Sequence, residues 1–245
     1  MAELPVKFTP MATAFLMSAD VPYHIIESLN EYLDKLHIDK KRESHAKSLV
    51  GQIKKGQQLR MDDNDPLVKE FSKLCCTLAN GYIDCFTKTT GVAFNKLIPE
   101  MDEIWSVHSF EGDYNPIHSH SVKALTGVSC TTWTKIPKQI RDKKPSVMGN
   151  LYDSSGECDG FITFYYGGVG SNQDAEILRP PTHYTLKPEI GTMYFFPTWM
   201  QHSVYPFFGE GERRTVAANI NMWPEEVLKM REQNKGVDDN VKSNK

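Results

Sequence analysis

The sequence predicts an α+β fold in which N-terminal helices pack against an antiparallel β-sandwich. Apolar residues recur at helical spacing in the first hundred residues, over 22–36 and 66–89. After residue 100 the chain changes to short β-rich runs separated by turn residues, which favours a sandwich over alternating strands and helices. These runs are IWSVHSF, LTGVSCTTWTKI, GFITFYY, GTMYFFP, HSVYPF and RRTVAANINMW.

Start signals support both helices. Asp20 is the predicted N-cap of the first helix, with Pro22 in its first turn, and the segment DDND precedes the second helix at Pro66. The polar segment between the helices, residues 40–65, is predicted to be a loop. The helices pack either on the sandwich or on a second copy of the chain in a homodimer.

A chain of 245 residues is long enough to bury a full core. A single domain is expected over 1–230, with a mainly helical part at 1–100 and the sandwich core at 101–223. The tail 231–245 is charged and poor in apolar residues, so it is predicted to be disordered.

Two long connections, 137–159 and 167–189, interrupt the β-rich half. Connections of this length in a compact domain are typical of lids and substrate edges. We therefore expect them to shape a substrate entrance.

Charge and cysteine content narrow the class of protein. The net charge of -3 and pI of 6.2 provide no basic field of the kind that binds nucleic acid or anionic lipid. The five cysteines include no CxxC pair, which favours reduced thiols and a cytoplasmic location. The residue pattern predicts neither secretion nor insertion into a membrane.

A candidate metal site begins in the segment DYNPIHSHSVKALTGV, residues 113–128. His118 and His120 are two residues apart, so they point to the same side if 117–121 is extended. Neutral imidazoles bind Fe(II) or Zn(II), and a catalytic site needs about three protein ligands with open positions. His202, which follows GTMYFFPTWMQ, is the best candidate for the third ligand.

A candidate anion site follows His202 by eleven residues. Arg213 and Thr215, in GERRTVAANI, share one face of a predicted strand with Ala217 and Asn219. A buried guanidinium must be paired, and a ligand carboxylate with an assisting hydroxyl is a natural partner. A shift of one residue in register would place Arg214 there instead of Arg213.

The order H-x-H, distal H and R-x-T resembles the iron(II)- and 2-oxoglutarate-dependent oxygenases. The segment from IWSVHSF to LTGV is similar to prolyl-hydroxylase-like 2-oxoglutarate oxygenases of bacteria and their phages, and the likeness covers about 102–222. It implies a double-stranded β-helix core, also described as a jelly-roll or cupin-like sandwich. It implies that His118 and His202 bind iron and that Arg213, assisted by Thr215, binds the distal carboxylate of 2-oxoglutarate.

His120 departs from the family pattern because it falls on the position of a carboxylate ligand. If it binds the metal, the site has three neutral imidazoles and the iron keeps its full double charge. If it turns away, the site has two histidines and another ligand.

The resemblance implies that the chain hydroxylates an unidentified peptide or small-molecule substrate, such as a prolyl residue, using O₂ and 2-oxoglutarate and releasing succinate and CO₂. A second hypothesis is a three-histidine cupin-type dioxygenase or isomerase that uses no 2-oxoglutarate. A third is a non-catalytic β-sandwich binding module. Arg213 separates the first two, because a cupin-type reaction gives it no role.

Overall fold

The computed structural model describes residues 14–143, 158–167 and 182–231. The helices are α1 (Tyr23–Ile38), α2 (Pro66–Thr90) and α3 (Lys138–Arg141), with a 3-10 turn at Ala46–Ser48. The strands are β1 (Met17–Asp20), β2 (Gln57–Met61), β3 (Leu97–Ser109), β4 (Asn115–His118), β5 (Gly127–Lys135), β6 (Ile162–Tyr165), β7 (His183–Leu186), β8 (Thr192–Pro197), β9 (Gln201–Val204) and β10 (Arg213–Pro224).

The strands form two antiparallel sheets. The larger sheet has the order β1-β8-β5-β10-β3-β2, and the smaller has the order β4-β9-β6-β7. The six β-rich runs of the sequence coincide with β3, β5, β6, β8, β9 and β10, so the predicted α+β class with a sandwich core is confirmed.

Four strands were not predicted, and two of them are the edges of the larger sheet. β1 pairs only with β8, and β2 lies in the polar segment 40–65, where its Leu59 and Met61 are nevertheless buried. β4 and β7 are four residues each and lie at the edges of the smaller sheet. Short edge strands leave a weak pattern because few side chains alternate between core and solvent.

Helix α2 begins and ends on clear local signals. The side chain of Asp65 accepts a hydrogen bond from the Leu67 N–H at 2.9 Å, and Pro66 occupies the first turn. Gly91 ends the helix with φ of 71°, a left-handed conformation that glycine adopts without steric cost. Helix α1 differs from the prediction, because Pro22 is its N-cap. Asp20 is instead the last residue of β1 and pairs with Thr192 of β8.

The main core lies between the two long helices and the outer face of the larger sheet, so the helices pack on the sandwich of their own chain. The two faces of β10 contribute to different layers of the fold. Its residues Val216, Ala218, Ile220 and Met222 pack in this helix-facing core, whereas the alternate residues point between the sheets. A second core fills the space between the sheets and includes Trp133, Phe164 and Phe196.

Parts of three predicted segments lie outside the described residues: 144–157 of the first long connection, 168–181 of the second, and the tail beyond Arg231. Within the described ranges, the first connection contains α3 and the second contains β7. No helix in the described ranges has the length and hydropathy needed to cross a bilayer.

Candidate active site

The structure brings the three predicted histidines together. His118, the last residue of β4, is the register partner of His202 on β9. His120 lies two residues beyond the end of β4, and its backbone N–H donates to the Thr198 carbonyl at 2.8 Å, which holds it beside the β8–β9 turn. One ring nitrogen from each histidine lies within 4.8 Å of the others, so the three can converge on one ion.

In each of the three imidazoles, Nδ1 makes a hydrogen bond with at least one oxygen atom. The partners are Pro116 O for His118 (2.7 Å), Met200 O for His202 (3.1 Å), and Ser129 Oγ and Asn219 Oδ1 for His120 (2.9 and 3.0 Å). Because carbonyl oxygens only accept, Nδ1 carries the proton and Nε2 keeps its lone pair. Metal-bound histidines usually make this second hydrogen bond, which fixes the tautomer and the ring orientation.

Burial keeps the imidazoles uncharged. Desolvation, with repulsion from His118, lowers the pKa of His120 to about 4. Desolvation and the other two histidines place the pKa of His202 well below its ordinary value. The pKa of His118 is also lowered by desolvation. All three are therefore neutral at pH 7, which is the form that binds a metal.

Aromatic rings surround the cluster. Phe196 lies 4.9 Å from the His202 ring between centroids, Phe164 lies 5.8 Å from it, and Trp105 lies 5.3 Å from the His120 ring. Phe164 and Phe196 come from two of the β-rich runs, GFITFYY and GTMYFFP. They belong at the same time to the core between the sheets, so the ligands stand in a rigid apolar wall.

Arg213 lines the same cavity and is 1% exposed. Its guanidinium donates to neutral oxygens: Gly160 O at 3.0 Å, Tyr205 O at 3.2 Å and Ser109 Oγ at 3.2 Å. Its Nε is buried without a hydrogen-bond partner, and among the described residues no carboxylate lies within ion-pairing distance. Burial lowers its pKa to about 10, so it remains a cation at pH 7.

Arg214 points to the opposite side of β10, toward helix α1. It makes two hydrogen bonds to Glu212, at 2.8 and 3.0 Å, and lies 2.8 Å from Asp34. Arg214 is thus ion-paired directly, whereas among the described residues Arg213 is stabilised at longer range, by the charge of Asp113.

Thr215 lines the cavity together with Arg213 and the three histidines, as the alternation along β10 predicts. The volume of this cavity is about 50 Å³. The five predicted site residues therefore share one cavity between the two sheets.

Sequence reasoning did not assign a role to two residues beside His120, namely Ser129 and Asn219. Asn219 shares the face of Arg213 and Thr215, so its inward direction could be read from the strand pattern. Its contact with His120 could not, because that contact depends on how β10 lies across from the residues that follow β4.

Residues 103–219 match the family described as "Putative 2OG-Fe(II) oxygenase". The resemblance of this chain to the 2OG-Fe(II) oxygenases is confirmed. The matched segment contains the three histidines, Arg213 and Thr215, and Fe(II) with 2-oxoglutarate are the predicted cofactors of such a site. A comparison with curated proteins found no match.

Solved 2OG-Fe(II) oxygenases share the fold, with its double-stranded β-helix core. A prolyl-4-hydroxylase from Pseudomonas putida is 10% identical, with a TM-score of 0.53 and coverage of 85% of this chain and 93% of that chain. HygX from Streptomyces hygroscopicus, with nickel and 2-oxoglutarate bound, is 11% identical, with a TM-score of 0.50 and coverage of 85% and 83%. The α-ketoglutarate-dependent epimerase SnoN from nogalamycin biosynthesis is 10% identical, with a TM-score of 0.55 and coverage of 85% and 79%.

The residues of this chain fit both groups that such an oxygenase uses. The hydrogen bonds of the three neutral imidazoles are made by Nδ1, which leaves the lone pair of each Nε2 available to a metal. Such a set of ligands suits a borderline divalent metal. A buried guanidinium with an unpartnered Nε, on the wall of the same cavity, suits a carboxylate.

Proposed function

We propose that this chain is an Fe(II)- and 2-oxoglutarate-dependent dioxygenase that hydroxylates a substrate C–H bond and releases succinate and CO₂. The observation that carries the proposal is the presence, in one cavity, of three neutral histidines and a buried arginine that makes no direct ion pair within the described part of the chain. A three-histidine metal site without 2-oxoglutarate would give that arginine no direct ion-pair partner.

In this proposal His118, His120 and His202 hold the iron, and Arg213 holds the distal carboxylate of 2-oxoglutarate while Thr215 donates a hydrogen bond to it. Iron with 2-oxoglutarate and O₂ supplies an oxidant strong enough to replace hydrogen by hydroxyl on carbon. The protein orients the keto acid through Arg213, keeps the imidazoles unprotonated by burial, and excludes water with Trp105, Phe164 and Phe196.

Anaerobic titration tests the metal and co-substrate assignments together. Fe(II) followed by 2-oxoglutarate should produce the visible charge-transfer band of an iron–keto acid complex. The band should require a much higher 2-oxoglutarate concentration in Arg213→Gln. Absence of the band in the wild-type protein, or an unchanged 2-oxoglutarate affinity in that variant, would contradict the proposal.

A peptidyl substrate, such as a prolyl residue, is supported by the resemblance to prolyl-hydroxylase-like oxygenases. Proline-containing peptides should raise succinate formation above the uncoupled rate and should gain one oxygen atom by mass spectrometry. Stimulated succinate formation without a gain of oxygen would indicate a reaction other than hydroxylation, such as the epimerisation named for SnoN.

A further inference from the structure

A row of polar side chains runs across three neighbouring strands behind His120. Asn219 on β10 is the register partner of Ser129 on β5 and of Glu103 on β3. Ser129 and Asn219 are buried, and the carboxylate of Glu103 is about a quarter exposed at 26%. The row begins at His120, which stands at the position of the expected carboxylate ligand, and ends at the carboxylate of Glu103.

The amide of Asn219 is oriented by its contacts on both sides. Its Nδ2 donates to Glu103 Oε1 at 3.0 Å and to the Ser121 carbonyl at 3.4 Å. Its Oδ1 accepts from Ser129 Oγ at 2.7 Å and lies 3.0 Å from His120 Nδ1. A flipped amide would place its oxygen against the carboxylate of Glu103, so Glu103 determines which end of the amide faces His120.

That orientation determines the tautomer of His120. An amide oxygen at 3.0 Å cannot donate, so His120 Nδ1 must carry the proton and Nε2 must keep the lone pair. His118 and His202 obtain the same tautomer from backbone carbonyls, which need no orienting partner. His120 differs because both of its Nδ1 partners are side chains.

The carboxylate of Glu103 lies at the end of this chain of hydrogen bonds. Among the described residues no lysine or arginine pairs with it, and its other oxygen lies 3.2 Å from Nε2 of the buried His45. His45 in turn packs on Trp105, with ring centroids 5.7 Å apart, and Trp105 also contacts the His120 ring. The Glu103 carboxylate therefore accepts a hydrogen bond from Asn219 on Oε1 and has the His45 ring near Oε2.

We propose that Glu103 and Asn219 are positioning residues for His120: Glu103 orients the Asn219 amide, and the amide makes His120 Nε2 the metal-binding atom. The inference rests on the proposed metal site.

Nitrogen-detected NMR of the metal-free protein measures the tautomer directly. In the wild type, and in Glu103→Gln, whose amide oxygen can still accept from Asn219, His120 should be protonated on Nδ1. In Glu103→Leu the Asn219 Nδ2 keeps only the longer of its two contacts, to the Ser121 carbonyl, so the amide can turn more easily and His120 should shift toward the Nε2-protonated form. Glu100→Leu, an exposed glutamate on the same strand, is the matched control and should leave the tautomer unchanged.

Cobalt(II) titration, followed by visible absorption, measures the consequence for the metal. Glu103→Leu should bind cobalt roughly 10–100-fold more weakly than the wild type, the usual effect of losing a partner of a metal-bound histidine. Adding Asn219→Asp to that variant places a carboxylate directly against His120, so the Nδ1 tautomer and cobalt affinity should both return. A purely structural role for Glu103 predicts no such rescue.

The results separate this inference from the proposed function. Normal cobalt binding by the wild type, with the same tautomer and affinity in Glu103→Leu, would overturn the positioning role and leave the metal site standing. Failure of the folded double variant to recover the tautomer would also overturn it. If the wild type binds neither cobalt nor iron, the proposed function fails, whereas the NMR result still decides whether Glu103 sets the tautomer.

Discussion

His118 and His202 are direct register partners on the antiparallel strands β4 and β9, and their ring centroids are 4.2 Å apart. Cross-strand partners on one face lie close enough for both side chains to reach a common ligand. The hydrogen-bonding register of the smaller sheet therefore fixes two of the three candidate metal ligands before any metal is bound.

Replacing either partner should abolish metal-dependent stabilisation. A metal at about 100 times its Kd stabilises a folded protein by about 2.7 kcal/mol, and we expect this increment on adding cobalt(II) to the wild type. His118→Ala and His202→Ala should lose it because only two ligands remain. Thermal unfolding with and without cobalt measures the effect.

The matched control for these variants is His24→Ala. His24 lies on the surface, where it contacts Glu70 of α2, and it should retain the full cobalt-dependent rise in Tm. An equal rise in the His118→Ala variant would show that the ion binds elsewhere.

The two adjacent arginines of β10 should respond in opposite ways to the same substitution. Arg213→Gln should weaken 2-oxoglutarate binding by about 30-fold or more, because losing one partner of a buried charge pair costs about 2 kcal/mol or more. Arg214→Gln should instead lower the free energy of unfolding by about 2 kcal/mol through its contacts with Glu212 and Asp34. Isothermal titration and chemical denaturation measure the two effects.

Each arginine variant is the control for the other. The reverse outcome, with Arg214→Gln losing co-substrate affinity, would indicate that the carboxylate binds on the helix-facing side of β10.

Thr215→Val should reduce 2-oxoglutarate affinity about fivefold, since one hydrogen bond to a ligand contributes about 1 kcal/mol. The valine keeps the shape of the side chain, so folding should be little affected. Thr132→Val is the control: its hydroxyl donates to the Thr192 carbonyl on the other side of the sheet, and its loss should affect stability alone. Equal co-substrate affinity of the two variants would remove Thr215 from the site.

Acid should destabilise the protein through Glu212. Although burial raises its pKa, hydrogen bonds from His108 and Arg214 lower it to about 2 overall, below the usual 4.5. A carboxylate with a depressed folded-state pKa stabilises the protein above pH 4.5 and loses that contribution as the pH falls toward 2. Tm of the wild type should therefore exceed that of Glu212→Gln most at pH 6 and progressively less between pH 4.5 and 2.

A constant difference in Tm across that range would contradict the assigned pKa.

Much of the site could be predicted because it depends on alternation within strands. The period of two along β10 predicted that Arg213 and Thr215 share a face, and the spacing of His118 and His120 predicted convergence. The choice between Arg213 and Arg214 required the register of β10 against β3 and β5, which no local pattern contains. The tautomer of His120 likewise depends on Glu103, which is seventeen residues away in sequence but adjacent through β10.

The sequence was least informative where elements are stabilised by long-range pairing. β2 lies in a segment rich in Lys, Gln and Arg, yet Leu59 and Met61 are buried because the strand completes the edge of the larger sheet. Asp20 resembled a helix cap, but pairing with β8 places it in a strand. In both places tertiary contacts outweigh local propensity.

Because β10 has one face toward the site and one toward the helices, it also determines where the chain can be truncated. The segment that matches the oxygenase family, 103–219, contains every proposed ligand, yet Val216 and Ala218 face a layer built by the N-terminal helices. Cutting the chain at residue 102 would expose that apolar face to water. The portion that carries the chemistry therefore depends on helices α1 and α2 to cover its apolar face.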